Sequence, residues 1–178
     1  MKLTQTNVEG VIRIDISRME DERGYFARSF CVRELKEAGI EFDISQANVS
    51  YNAHAGTLRG LHYQDQPTPD PKIVRCEQGA IFDVALDLRP HSLTFGQWTG
   101  MELTSDSATA LLVPAGCAHG FLSLTDDSRV LYLMGAPYVP ELSRGVRWND
   151  PSFDIAWPGE PKIIAPRDAN YPDFELNR

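Results

Sequence analysis

Apolar and polar residues alternate in short runs along most of this chain, and Gly, Pro, Asn and Asp separate the runs. A period of two sends successive side chains to opposite faces, so each run predicts a strand with one buried face. Ile12, Ile14 and Ile16 alternate with Arg13, Asp15 and Ser17, which predicts an early strand. Further on, Phe82, Val84, Leu86 and Leu88 fall on one face, with Asp83, Ala85 and Asp87 on the other. Gly79 predicts a turn between that strand and a preceding one that carries Lys72. Residues 110–113 form an apolar run ended by Pro114-Ala-Gly116, and in 129–134 the period puts Val130, Tyr132 and Met134 on one side. Helical spacing is confined to 32–38, where Gly39 stops it. Many short strands between turn residues predict an all-β sandwich or barrel with short peripheral helices. The Pro-rich stretch after Trp157 is expected to lie over it in extended form. With no internal repeat, low-complexity tract or linker, residues 1–178 read as one domain with a sizeable core.

Charge narrows the partners. A net charge of −8 disfavours general nucleic-acid or anionic-membrane binding. Cys31, Cys76 and Cys117 are odd in number and lack C-x-x-C spacing, so neither a disulfide framework nor a zinc site is expected. The opening Met1-Lys-Leu-Thr-Gln-Thr has no apolar signal core, and no stretch is long enough to span a bilayer. A cytoplasmic protein is the expectation.

The chemistry concentrates in Gly56-Thr-Leu-Arg59-Gly-Leu-His62-Tyr-Gln64, followed by Lys72, Gly79 and Pro114-Ala-Gly116-Cys-Ala-His119. In spacing these residues resemble the two signature stretches of a metal-binding cupin barrel, G-x5-H-x-H with E-x6-G and then P-x-G-x-x-H. Gln64 replaces the second histidine and Lys72 the carboxylate. Metal sites need several lone pairs converging on one cation, and an ammonium has none to give. The spacing therefore predicts no metal, and a pocket whose fixed positive charge meets an anion or an enolate.

The same residues resemble the family of nucleotide-sugar epimerases typified by dTDP-4-dehydrorhamnose 3,5-epimerase. The resemblance extends to Asp21-Glu-Arg23-Gly-Tyr-Phe26, Gln46-Ala-Asn48, Lys72-Ile-Val-Arg75, Ala118-His119-Gly-Phe121, Leu131-Tyr132 and Arg144-Gly-Val-Arg147-Trp-Asn-Asp150-Pro, nearly the whole chain in order. It implies a cupin-type double-stranded β-helix, or jelly roll. It also implies a homodimer whose N-terminal strands help complete the partner's sheet and site. The implied reaction is epimerisation at C-3, C-5 or both of a 4-keto-6-deoxy nucleotide sugar, with no metal or organic cofactor.

Inverting a carbon beside a ketone needs a base and an acid on opposite faces, plus a cation for the enolate oxygen. His62 is the candidate base, since an imidazole titrates at about 6.5. By resemblance Tyr132 is the proton donor and Asp168 the histidine's partner, with Asp83 a competitor for that place. Lys72 is placed to stabilise the enolate. Arg23 and Arg59 are candidates for the diphosphate, because guanidinium forks fit phosphate oxygens, and Arg167 joins them in a local cationic patch. Phe26 and Tyr138 either stack on the substrate or pack as core and rim. Gln46 and Asn48 match substrate-contacting positions, and His119 either contacts substrate or pins the turn after Gly116.

Three departures bear on the nucleotide: Arg28 where the family commonly has glutamate, Ser143 at an acidic position, and Ala47 within the Gln-Asp-Asn triplet. They invert the local hydrogen-bonding pattern and predict altered contact with thymidine. The rival readings are a mono-epimerase on a related sugar, a non-catalytic nucleotide-sugar-binding cupin, and a metal-dependent oxygenase, which Gln64 and Lys72 disfavour.

Overall fold

A computed structural model describes residues 1–175. Its strands are, in chain order, β1 (Lys2–Gln5), β2 (Ile12–Asp15), β3 (Arg18–Asp21), β4 (Gly24–Ala27), β5 (Gln46–Asn52), β6 (Thr57–Gln64) and β7 (Lys72–Gln78). They continue as β8 (Ala80–Asp87), β9 (Trp98–Thr104), β10 (Ala110–Val113), β11 (Cys117–Ser123), β12 (Ser128–Met134), β13 (Ser143–Gly145) and β14 (Ile163–Ile164). Helix α1 (Val32–Glu37) precedes β5, and α2 (Pro166–Ala169) follows β14.

Two six-stranded sheets face each other. The first runs β1-β2-β10-β7-β12-β5, and the second runs β13-β6-β11-β8-β9 with β14 added to β6. From β5 to β8 and again from β9 to β13 the chain crosses to the other sheet at each turn. This is the jelly roll of a cupin-type, all-β protein. Hairpin β3–β4 joins neither sheet.

Gly79, at φ +75°, makes the expected turn from β7 to β8, and an added Cβ would meet Thr125 and Ser128 side chains. The core lies between the sheets, where Val74, Cys76, Leu111, Val113 and Val130 of the first meet Ile81, Ala85, Leu103, Cys117 and Phe121 of the second. Burying each large apolar side chain contributes about 1.5–3 kcal/mol.

β8 departs from the expected pattern. Both of its faces are buried: Ile81 and Ala85 point into the core, whereas Val84 and Leu86 pack outward with Val146 and Phe153. Asp83 and Asp87, expected on a polar face, are fully buried. Asp83 and Asp87 share the inward face of Ile81 and Ala85, and a C-terminal layer covers the Val84 and Leu86 face, so the alternation does not separate core from solvent. The tail also differs from a plain extended strap, since it adds β14 in parallel to β6 and turns into α2.

Candidate active site

β6 and β11 place two histidines side by side. His62 and His119 are direct partners in the antiparallel ladder, so their side chains leave the sheet on one face. The register shifts between His119 and Phe121, beside Gly60 and Gly120. A Cβ on Gly60 would sit 2.5 Å from the Gly120 Cα, and one on Gly120 would sit 2.8 Å from the Arg59 carbonyl oxygen. Only glycine permits this approach of the two backbones.

The carboxylates divide between the histidines. Asp168 Oδ1 lies 2.7 Å from His62 Nε2, and its Oδ2 accepts the Gly60 N–H at 3.1 Å. β14, parallel to β6, delivers α2 and hence Asp168 to this point. Burial pushes the Asp168 carboxyl up, but the His62 bond and charge and the Gly60 N–H outweigh it and hold the group below its ordinary value. Asp83 instead meets His119, Oδ1 to Nε2 at 2.8 Å, and its Oδ2 has no hydrogen-bond partner among the described residues.

Tyr132 and Lys72 come from the facing sheet. The Tyr132 ring stands edge-on to the His119 ring, with centroids 6.0 Å apart and planes at 86°. Burial pushes the Tyr132 phenol well above its ordinary value; the Ser50 hydroxyl opposes this, the Asp83 charge adds to it, and the Arg59 charge opposes it. Lys72 is buried with its Nζ 2.7 Å from Asp70 Oδ2. Gln64 is held by backbone groups. Its amide donates to the Thr68 and Pro137 carbonyls, and its oxygen accepts the Val139 N–H at 2.7 Å. Among the described residues no group of three or more His, Cys, Asp or Glu side chains is arranged to hold a metal.

These groups line a cavity of about 680 Å³ between the sheets, within the size range of ligand sites. His62, Asp168, Lys72, Tyr132, His119, Arg59, Asn48, Tyr138 and Arg167 all contribute to its wall. Arg59 donates to Asn52 Oδ1 at 2.8 Å and to the Tyr51 carbonyl at 3.2 Å, and Arg167 donates to Ser143 Oγ at 2.9 Å. Neither guanidinium has a carboxylate partner among the described residues. The acidic chain thus keeps two cations free where an anion would enter.

The other expected residues stand elsewhere. Gln46 is just outside the wall, its Oε1 accepting the Tyr138 N–H at 2.7 Å. Arg23 and Phe26 ride on the β3–β4 hairpin, where Arg23 pairs with Asp21 and Phe26 is 72% exposed. Arg28 bonds Glu34 at 2.6 Å and does not line its own chain's cavity. Sequence reasoning missed Asp70 as the partner of Lys72. The Asp-Pro-Lys string around Pro71 carries the signal, since an extended residue before proline leaves the two side chains alternate and close.

Residues 5–175 match the family model described as dTDP-4-dehydrorhamnose 3,5-epimerase. A Methanothermobacter thermautotrophicus protein of that name is 40% identical over 99% of this chain and 96% of its own length. The crystal structure of the Bacillus anthracis protein of that name, with TDP and PPi bound, superposes with a TM-score of 0.93 at 39% identity, covering 97% of this chain and 99% of the other. A 3′-monoepimerase from Streptomyces bikiniensis in complex with dTDP-quinovose gives a TM-score of 0.87 at 35% identity, covering 94% and 85%.

Proposed function

Because the chain belongs to the dTDP-4-dehydrorhamnose 3,5-epimerase family, and is therefore an isomerase, we propose that it inverts C-3, C-5 or both of a 4-keto-6-deoxy sugar carried on a nucleoside diphosphate. The observation that carries this reading is the opposition of His62–Asp168 on one sheet to Tyr132 on the other, across one cavity that Lys72 also lines.

The ketone at C-4 acidifies the protons on both neighbouring carbons. His62 removes one, and Asp168 fixes the imidazole and stabilises the imidazolium that forms. Lys72 meets the developing C-4 oxyanion, a charge present in the enolate and not in the ketone. Tyr132 returns a proton from the other face, and desolvation, which raises its phenol well above the ordinary value, keeps it protonated until the carbanion draws on it. Arg59 and Arg167 take the diphosphate, with Asn48, His119 and Tyr138 as further substrate contacts. Ketone, lysine and acid–base pair together supply the chemistry without a metal or organic cofactor. Residues 1–178 act as one domain, and the three unpaired cysteines and acidic charge favour a cytoplasmic setting.

Incubation with 4-keto-6-deoxyglucose on dTDP, UDP, GDP and CDP in deuterium oxide tests the reading. Proton NMR should report deuterium at C-3, C-5 or both on at least one nucleotide; no exchange on any of them overturns it. Exchange confined to one carbon would assign the mono-epimerase reaction, which similarity to the 3′-monoepimerase supports as the second reading.

The hairpin supports a homodimer. Met19, Tyr25 and Phe26 are 61%, 50% and 72% exposed on β3–β4, and β5 leaves one edge of the first sheet unpaired within the chain. In a two-fold pair with strand exchange, Arg23, Phe26 and Arg28 would reach the partner's cavity. Sedimentation should give a dimer, and Phe26→Ala should weaken nucleotide binding; a monomer with normal affinity would exclude this arrangement.

A further inference from the structure

An ammonium that is to meet an oxyanion must stay in one place, yet lysine carries its charge on a flexible four-carbon stem. Lys72 is the first residue of β7. The strand fixes its backbone and leaves the far end of the stem to be held by another group.

Asp70 holds it. Its Oδ2 lies 2.7 Å from Lys72 Nζ. Two other carboxylates at the site are taken, Asp168 by His62 and Asp83 by His119. Asp70 is itself anchored, because its Oδ1 accepts the Gln64 N–H of β6 at 2.7 Å. The Gln64 side chain donates to the carbonyl of Thr68, on the same loop as Asp70. Pro71, between Asp70 and Lys72, has a fixed φ and restricts Asp70 to extended backbone. One carboxylate thus connects the β6 backbone to the Lys72 ammonium through two short bonds. Both residues line the cavity, with side chains 14% and 5% exposed. An Asp–Lys pair out in solvent would have little effect; this one is largely shielded and reaches the cavity wall.

We infer that Asp70 is a positioning residue for the reaction: one oxygen ties it to β6, and the other holds the Lys72 ammonium where the C-4 oxyanion develops. A donor fixed beforehand acts without rearrangement at the moment of reaction. Misplacing such a group by about 1 Å can cost on the order of 10²-fold.

The inference rests on the epimerase reading, and a double-mutant cycle separates the two. Asp70→Asn is nearly isosteric, but an amide has one acceptor oxygen and cannot hold both the Gln64 N–H and the ammonium. Wild type, Asp70→Asn, Lys72→Met and the double variant are compared, with thermal unfolding as the check on folding. Asp70→Ser serves should Asp70→Asn fail to fold. The probe is 4-keto-6-deoxyglucose on whichever of dTDP, UDP, GDP and CDP exchanges fastest with wild type in deuterium oxide. Asp70→Asn should lower kcat for deuterium entry by about 10²-fold, with KM and the affinity for the free nucleoside diphosphate near wild type. In Lys72→Met no ammonium remains to be placed, so adding Asp70→Asn should bring no further loss. A second loss of about 10²-fold in that background would mean that Asp70 acts apart from Lys72 and would overturn the proposal. A wild-type kcat in Asp70→Asn, or a loss carried by KM, would overturn it too. Absence of exchange in wild type on all four nucleotides would sink the epimerase reading itself.

Discussion

His62 and Tyr132 approach the cavity from different sheets, so removing each should have a different consequence. His62→Ala should abolish deuterium incorporation, because it leaves at that place only the Asp168 carboxylate, a much weaker base than an imidazole. Tyr132→Phe keeps the ring that packs on His119 and removes only the donor hydroxyl. It should retain measurable exchange while inversion falls by roughly 10²–10⁴-fold. NMR of the quenched mixture distinguishes exchange from inversion, and a His62→Ala variant that exchanges normally would show the base to be another group. Both residues are legible in the sequence because they fall inside ordered motifs. The histidine's partner is less so: Asp168 stands 106 residues from His62, and Asp83 is as plausible on paper. Only the parallel pairing of β14 with β6, and the cross-strand meeting of Asp83 with His119, divides them.

At the level of elements, the site depends on how closely β6 and β11 approach. Gly60 has φ +126°, where residues with a Cβ are strained, and its added Cβ would meet backbone that cannot move aside. Gly60→Ala should therefore destabilise the protein by about 1–3 kcal/mol. Activity should fall further than stability accounts for, because the Gly60 N–H also holds Asp168. Denaturant unfolding and kcat/KM measured together would show this, and wild-type values for both would mean the strands can separate without penalty. Alternation locates the strands well where one face meets solvent, as in β2, with Ile12 and Ile14 buried and Arg13 exposed. It fails for β8, whose second face is covered by chain from far along the sequence. It fails also for the tail, where Pro166 opens a helical turn instead of prolonging an extended strap.

At the scale of the whole molecule, an acidic chain must hold buried carboxylates in their charged form. The clearest case lies away from the cavity, where Asp87 ends β8. It accepts bonds from the Arg89 backbone and guanidinium, Ser92 and Thr94, while Arg89 also donates to the Glu9 carbonyl. The network therefore ties the N-terminal segment to the second sheet. Burial alone would push the Asp87 carboxyl up, but its bonds to Arg89, Ser92 and Thr94 outweigh that and hold it at about 2, against an ordinary 3.8. A carboxyl depressed on folding adds stability above its unfolded value and loses it as the pH falls through its folded value. From this difference Asp87 contributes about 2 kcal/mol at neutral pH, lost between pH ~4 and ~2. Asp168, also depressed, loses its contribution in the same direction. Asp87→Asn should thus be less stable than wild type at pH 7, and the gap should narrow as the pH falls towards 2. Urea unfolding at pH 7, 4 and 2.5 measures both slopes. Parallel curves would mean that the network holds the segment by geometry alone, independent of the charge on Asp87.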